Sequence, residues 1–204
     1  MQKISLPNVT FIIVDGVNYD RAKLSFDWST RNIEFGEAKI LTHLPVQSPE
    51  VVPIKPITSI EEYSKFMIRD LTHYVNTEYV LVGQWDGFVW NADLWTNEFL
   101  QYDYIGAPWP AGLPTYGAPE HFNVGNGGFS LRSKKLLDIL STDINLVDHW
   151  AEDVVIGRLN RHYLEKCGIR YAPTELATRF SLENGPMIPA FGCHARLRLV
   201  SNPT

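Results

Sequence analysis

The chain has 204 residues, 45% hydrophobic and 20% charged, with a formal net charge of -5. That length supports one well-filled core, read as a single domain over residues 1–204, and the acidic balance supplies no basic field for nucleic acid. The only cysteines, Cys167 and Cys193, belong to no close-spaced metal or redox pair, the apolar stretch near the N-terminus is too short for a signal core, and no run approaches the ~18 apolar residues of a membrane span. The expectation is a soluble, cytoplasmic protein without a transmembrane segment; the sequence does not specify its oligomeric state.

In chain order, VTFIIVDG (9–16) is almost continuously apolar and ends in Asp-Gly, which predicts a central strand covered on both faces. YDRAKLSFDWSTRNI (19–33) has helical composition and EAKILTHL (37–44) returns to strand character, giving strand, crossover, strand. The Pro-rich segment 45–56 reads as a loop. Ser59 and Glu62 form a capping box, and Ile60, Tyr63, Met67, Leu71 and Tyr74 make one apolar stripe, so a helix runs from there to about Asn76. EYVLVG (78–83) is a second buried strand that delivers Gln84, Trp85 and Asp86 at its carboxyl edge. Residues 102–126 combine turn formers with aromatic rings, as a binding loop or lid does. GGFSLRS (127–133) gives a short strand, with Ser133 capping KKLLDIL; a further helix is expected from Trp150 to Cys167, stopped by Gly168, then a short strand IRYA and an irregular tail that holds His194.

The residues that could carry chemistry gather at these boundaries. In an open α/β sheet, ligands collect at the carboxyl ends of strands, where Asp15 and Asp86 both fall. Asp15 also fits an ordinary Asp-Gly turn; Asp86 is accompanied by an amide, Gln84, and a stacking ring, Trp85. The spacing of Gly125, Gly127 and Gly128 is not that of a dinucleotide-binding loop. It suits close approach of backbone to a ligand, with Asn123 and Asn126 as side-chain partners, or simply two tight turns. Glu152 and Asp153 open a helix, where acids complement the helix dipole; the same placement lets one of them accept a proton from a hydroxyl, with His149 as a weaker base. His194 lacks the neighbours of a structural zinc site, but with Asp86 it could share a divalent ion with a substrate diphosphate. Arg69, Arg196 and Arg198 are candidate diphosphate neighbours, or solvated charges.

At YVLVGQWDGFVWN (79–91), YDYIGAPW (102–109), VGNGGFSLRSKK (124–135), EDVVIGR (152–158) and FGCHA (191–195), the sequence resembles a family of small, formerly uncharacterised proteins related to nucleotide-sugar glycosyltransferases of the GT-A fold. The resemblance implies an α/β, GT-A-like fold: a mostly parallel central sheet flanked by helices, with a small mixed sheet and acceptor-side loops. It implies a glycosyltransferase that moves a sugar from a nucleotide-diphosphate donor to a carbohydrate or other hydroxyl acceptor, inverting and assisted by Mn2+ or Mg2+, with surface-polysaccharide assembly as a setting. Asp86 then takes the metal or diphosphate role and His194 that of the C-terminal metal ligand. Asp15, Arg69, Gln84 and Trp85 fall on the donor side. Asn126, Gly127, Gly128 and Phe129 wall the acceptor pocket, and Asp153, with Glu152 beside it, is the general base. The sequence departs from the D-x-D pattern of that fold: Gln84 stands where the first acid belongs, and only Asp86 remains. That departure keeps a second reading open, a non-catalytic carbohydrate- or nucleotide-binding domain.

Overall fold

A computed structural model describes residues 3–183 and 187–195. Arg196 and Arg198 lie outside the described residues. The first strand, β1 (Ile4–Val14), passes through helix α1 (Tyr19–Thr30) into β2 (Ile33–Thr42), and β1 and β2 pair in parallel. Asn18 caps α1 by accepting the Arg21 amide. The segment 45–56 is not wholly loop: Val51–Pro53 (β3) adds to β2 in parallel, at an edge where a proline's missing N–H costs no ladder bond.

The expected capping box at Ser59 forms in part. Ser59 Oγ accepts the Glu62 amide, whereas the Glu62 carboxylate turns to the amide and hydroxyl of Thr58. The helix behind it is broken in geometry though continuous in chain: α2 (Ile60–Lys65) passes into a π turn (Phe66–Asp70) and a 3-10 turn (Leu71–Tyr74). Of the expected stripe, Met67 and Leu71 are buried with Ile12, Val80 and Val82 and Tyr63 and Tyr74 pack partly against them, whereas Ile60 is 75% exposed.

β4 (Tyr79–Gly83) pairs in parallel with β1, with Ile13 opposite Gly83. The strand ends that lead to Asp15 and to Gln84–Asp86 therefore emerge side by side at one edge of the sheet. Within the long aromatic segment, β6 (Tyr104–Gly106) lies antiparallel to β7 (Ser130–Ser133), which is itself antiparallel to β4. The main sheet runs β3-β2-β1-β4-β7-β6 and is mixed, parallel in its first four strands. α3 (Lys134–Thr142) follows, capped as expected by Ser133 Oγ. The helix expected from Trp150 starts instead at Glu152: a short α4 (Glu152–Val154), a π turn (Val155–Leu159) and α5 (Arg161–Lys166). IRYA does not form a strand and contributes one isolated bridge, Tyr104 to Tyr171. After α6 (Thr174–Phe180), a second sheet runs β5-β9-β8, built from β5 (Gly87–Val89), β8 (Ser181–Leu182) and β9 (Gly192–His194). The tail is thus less irregular than its composition suggests, and its last strand carries His194 back against Gly87. Among the described residues, no helix is long and apolar enough to cross a membrane.

Candidate active site

The parallel pairing of β1 with β4 opens a cavity of about 730 Å3 at the carboxyl ends of both strands, lined among others by Asp15, His43, Ile57, Tyr63, Gln84 and Trp85. Its size lies within the roughly 300 to 1,000 Å3 of small-molecule sites. Asp15 Oδ1 accepts the amides of Val17 (2.7 Å) and Asn18 (2.8 Å), so this carboxylate is fixed by its own turn while lining the cavity. The Arg21 guanidinium stands over the Trp85 ring at 5.2 Å. Gln84 is held at both ends: its Nε2 donates to Tyr63 Oη at 2.9 Å, and its Oε1 faces His194 Nε2 at 3.2 Å. Burial and then the Glu152 charge raise the Tyr63 phenol well above its ordinary value, so Tyr63 is neutral here.

Deeper in, β9 places His194 among acids. Its Nδ1 faces Glu183 Oε1 at 3.2 Å and its Nε2 faces Asp86 Oδ1 at 3.7 Å. Burial opposes the charged imidazolium, but the hydrogen bond and charge of Glu183, with the charges of Asp86 and Asp153, carry its pKa upward overall. The Asp86–His194 approach tests whether the site suits a divalent ion. A carboxylate and an imidazole face each other there, a donor set that Mn2+ accepts. Among the described residues no group of three His, Cys, Asp or Glu side chains is placed to hold a metal. These two side chains would supply at most two of the ligands such an ion takes, leaving the others to substrate oxygens and water.

The glycine pair is explained by what rests on it. A Cβ at Gly127 would meet Glu152 Oε1 at 2.2 Å, and one at Gly128 would meet His194 Nε2 at 2.1 Å. Any larger residue would push the carboxylate or the imidazole away. Asn126 Oδ1 accepts the Gly128 amide at 3.1 Å and fixes this turn. Beneath it, Arg132 is fully buried; it donates to Ser130 Oγ and, through Nη2, to Glu152 Oε1 at 3.1 Å. A buried strand that carries an arginine needs a counter-charge, and Glu152 supplies it. Among the described residues Asp153 has no such ion-pair partner. Its Oδ1 accepts the Val154 amide at 2.7 Å, and burial first, then the adjacent Glu152 charge, push its carboxyl up to about 7 against the opposing pull of the Val154 amide and Arg132.

The fold thus brings Asp15, Gln84 and Trp85 to one cavity, and Asp86, His194, Gly127, Gly128, Glu152 and Asp153 to the region beside it. Two residues read as site residues lie elsewhere. Arg69 is held by Asp148 Oδ2 (2.7 Å) and by the carbonyls of Leu140 and Asp143 (2.8 Å each), so its cation braces the loop after α3 instead of facing the donor cavity. Phe129, read as an acceptor wall, is fully buried and packs on Phe180 (5.3 Å) and Phe191 (5.8 Å), so its ring belongs to the aromatic core. Glu152, paired with Arg132, is geometrically a counter-ion. Sequence reasoning passed over Glu183, Tyr63 and Arg132. Glu183 carries no local signal, Tyr63 sits within an apolar stripe, and Arg132 had the one usable cue, a charge inside a buried strand.

A mixed sheet in this order, with a second small sheet bringing a histidine to the acid that follows the central strand, defines a GT-A-like α/β fold. The chain superposes on the galactosyltransferase LgtC in complex with donor and acceptor sugar analogs, with a TM-score of 0.54 at 14% identity over 91% of this chain and 86% of the other. An active-site mutant of LgtC gives a TM-score of 0.52 at 15% identity over the same shares. No curated protein matches the chain. Residues 48–194 match the family described as protein of unknown function (DUF5672), and the chain belongs to that family.

Proposed function

We propose that this protein transfers a sugar from a nucleotide-diphosphate donor to a hydroxyl acceptor. The observation that carries the reading is Asp153: a half-buried carboxyl with a pKa near neutrality, backed by the Arg132–Glu152 pair and set against the glycine turn beside the strand-end cavity. A base is most effective when its pKa lies near the working pH. In the proposed step the acceptor oxygen attacks the anomeric carbon, the carbon–oxygen bond to the diphosphate breaks, and the acceptor proton passes to Asp153, with inversion at that carbon. Asp15, Gln84 and Trp85 orient the nucleotide side of the donor, while Asn126, Gly127 and Gly128 shape the acceptor side. Asp86 and His194 would hold a Mn2+ or Mg2+ ion together with donor phosphate oxygens, and such an ion would neutralise the leaving diphosphate. Two free cysteines, one of them buried, suit the cytoplasmic setting of this reading.

Gln84 favours a second reading, a binding domain without turnover, since a neutral amide stands where an acid would strengthen metal binding. One experiment separates the two. Purified protein is given a panel of nucleotide sugars and glycan acceptors with Mn2+ or with chelator, and both binding and release of nucleoside diphosphate are measured. Transfer predicts acceptor-dependent release; binding with no release for any pair would favour the second reading.

A further inference from the structure

We infer that a second cleft, on the other side of Ile60, is a subsite for a pyranose ring of the acceptor, with Trp150 as its stacking platform. The inference rests on the sugar-transfer reading and extends it to the acceptor. The cleft measures about 530 Å3 and is walled by Ile60, Ser64 and Lys65 of α2 and by Asp148, His149 and Trp150 of the turn that precedes α4. Ile60 also lines the donor-side cavity, so the two spaces meet at one side chain. From Trp150 the chain runs directly into the turn that carries Asp153.

Three observations give the cleft its chemistry. Trp150 is 46% exposed, yet it is not loose: Tyr116 packs against it at 5.1 Å and 55°, and His149 lies at 6.1 Å. An indole held this way presents a flat apolar face, which suits the C–H face of a pyranose. The remaining wall sets polar side chains beside the apolar Ile60 and Ala151. Lys65 and His149 can meet ring hydroxyls, and Asp148 is fixed for the same purpose by Arg69. That gives Arg69 a part distinct from the donor role its sequence suggested. Finally, the Ser64 hydroxyl is buried on the same wall and has no hydrogen-bond partner among the described residues. A buried hydroxyl left unpaired is unfavourable, and a sugar hydroxyl would satisfy it. A purely apolar occupant, such as a lipid tail, would leave the Ser64 hydroxyl unpaired.

The test uses methyl glycosides and short oligosaccharides of glucose, galactose, mannose and N-acetylglucosamine, with binding followed by saturation-transfer NMR in the presence and absence of nucleotide sugar. Wild type is expected to saturate the ring C–H protons of at least one pyranoside. Trp150→Ala should weaken that binding about tenfold or more, as loss of an aromatic anchor does, while Trp150→Phe keeps most of it and guards against a folding artefact. Ser64→Ala should produce a smaller loss in the same direction. Failure of every glycan to bind wild type, or binding that survives Trp150→Ala, would overturn the subsite. Nucleotide-sugar titrations on the same samples keep the two readings apart. If glycans depend on Trp150 and no nucleotide sugar binds, the transfer reading falls and the subsite stands; if nucleotide sugars bind and glycans do not, the subsite falls alone.

Discussion

Asp153→Asn should make the protein less active and more stable at alkaline pH. The substitution keeps the shape of the side chain and its acceptor for the Val154 amide, but removes both the base and its buried charge. The folded protein holds the Asp153 carboxyl at about 7, against an ordinary 3.8. Between those values the native state keeps a proton that the unfolded chain has already released, so stability falls as pH rises through this window and levels off above it. At about 1.36 kcal/mol per pH unit the difference amounts to about 4 kcal/mol, an upper bound because relaxation and water penetration soften a buried site. Asparagine does not titrate, so the variant should match wild type near about pH 4 and exceed its stability by up to that amount near about pH 8. Turnover should fall by about 10² to 10⁴-fold while donor binding persists. Urea denaturation of both proteins across this pH range reads the effect. A variant less stable than wild type at alkaline pH, or a stability gap that does not change with pH, would refute the reasoning.

Arg132→Met leaves the Glu152 carboxylate buried without its partner and should cost about 3 to 5 kcal/mol, measured as a lower denaturation midpoint; combining it with Glu152→Leu should restore part of the loss, which a catalytic role for Glu152 would not explain. Glu183→Gln removes the charge nearest His194 Nδ1, so the His194 titration followed by ring-proton NMR should move to lower pH. Because the His194 pKa is raised in the folded state, its stabilising contribution is present below the ordinary value and lost as pH rises through the folded one, and Glu183→Gln should flatten that dependence. Arg69→Met should leave nucleotide-sugar affinity unchanged while lowering stability by about 1 to 3 kcal/mol, through loss of charge-assisted bonds to Asp148 and two carbonyls; a selective loss of donor affinity would return Arg69 to the donor site.

The parts legible in the sequence are those set by local chemistry. The apolar runs of β1 and β4 mark central strands, Ser59 and Ser133 mark helix starts, and the polar residues after each strand mark the edge where the cavity opens. What stays hidden depends on partners distant in the chain. His194 approaches Asp86, as the sequence reading expects, but the means is hidden: β9 pairs with β5, a pairing that no local pattern encodes in a tail rich in glycine and proline. Glu183 joins them because β8, which it follows, pairs with β9. The antiparallel placement of β7 and β6 lay outside a reading based on helix–strand alternation, and the π turns after Lys65 and Val154 alter backbone geometry within segments whose composition reads as ordinary helix. The neighbours Glu152 and Asp153 look equivalent as letters. Only the buried Arg132 beneath one of them divides their roles.

The central claim is tested most directly by transfer of a 13C-labelled sugar from a bound nucleotide donor to an acceptor glycan, with product followed by mass spectrometry for wild type and Asp153→Asn at equal donor occupancy. The account predicts labelled product from wild type, formed faster as pH rises through about 7 where Asp153 loses its proton, and a rate lower by about 10² to 10⁴-fold in the variant. Equal rates of product formation by the two proteins, or a donor-saturated wild type that labels no acceptor, would contradict it.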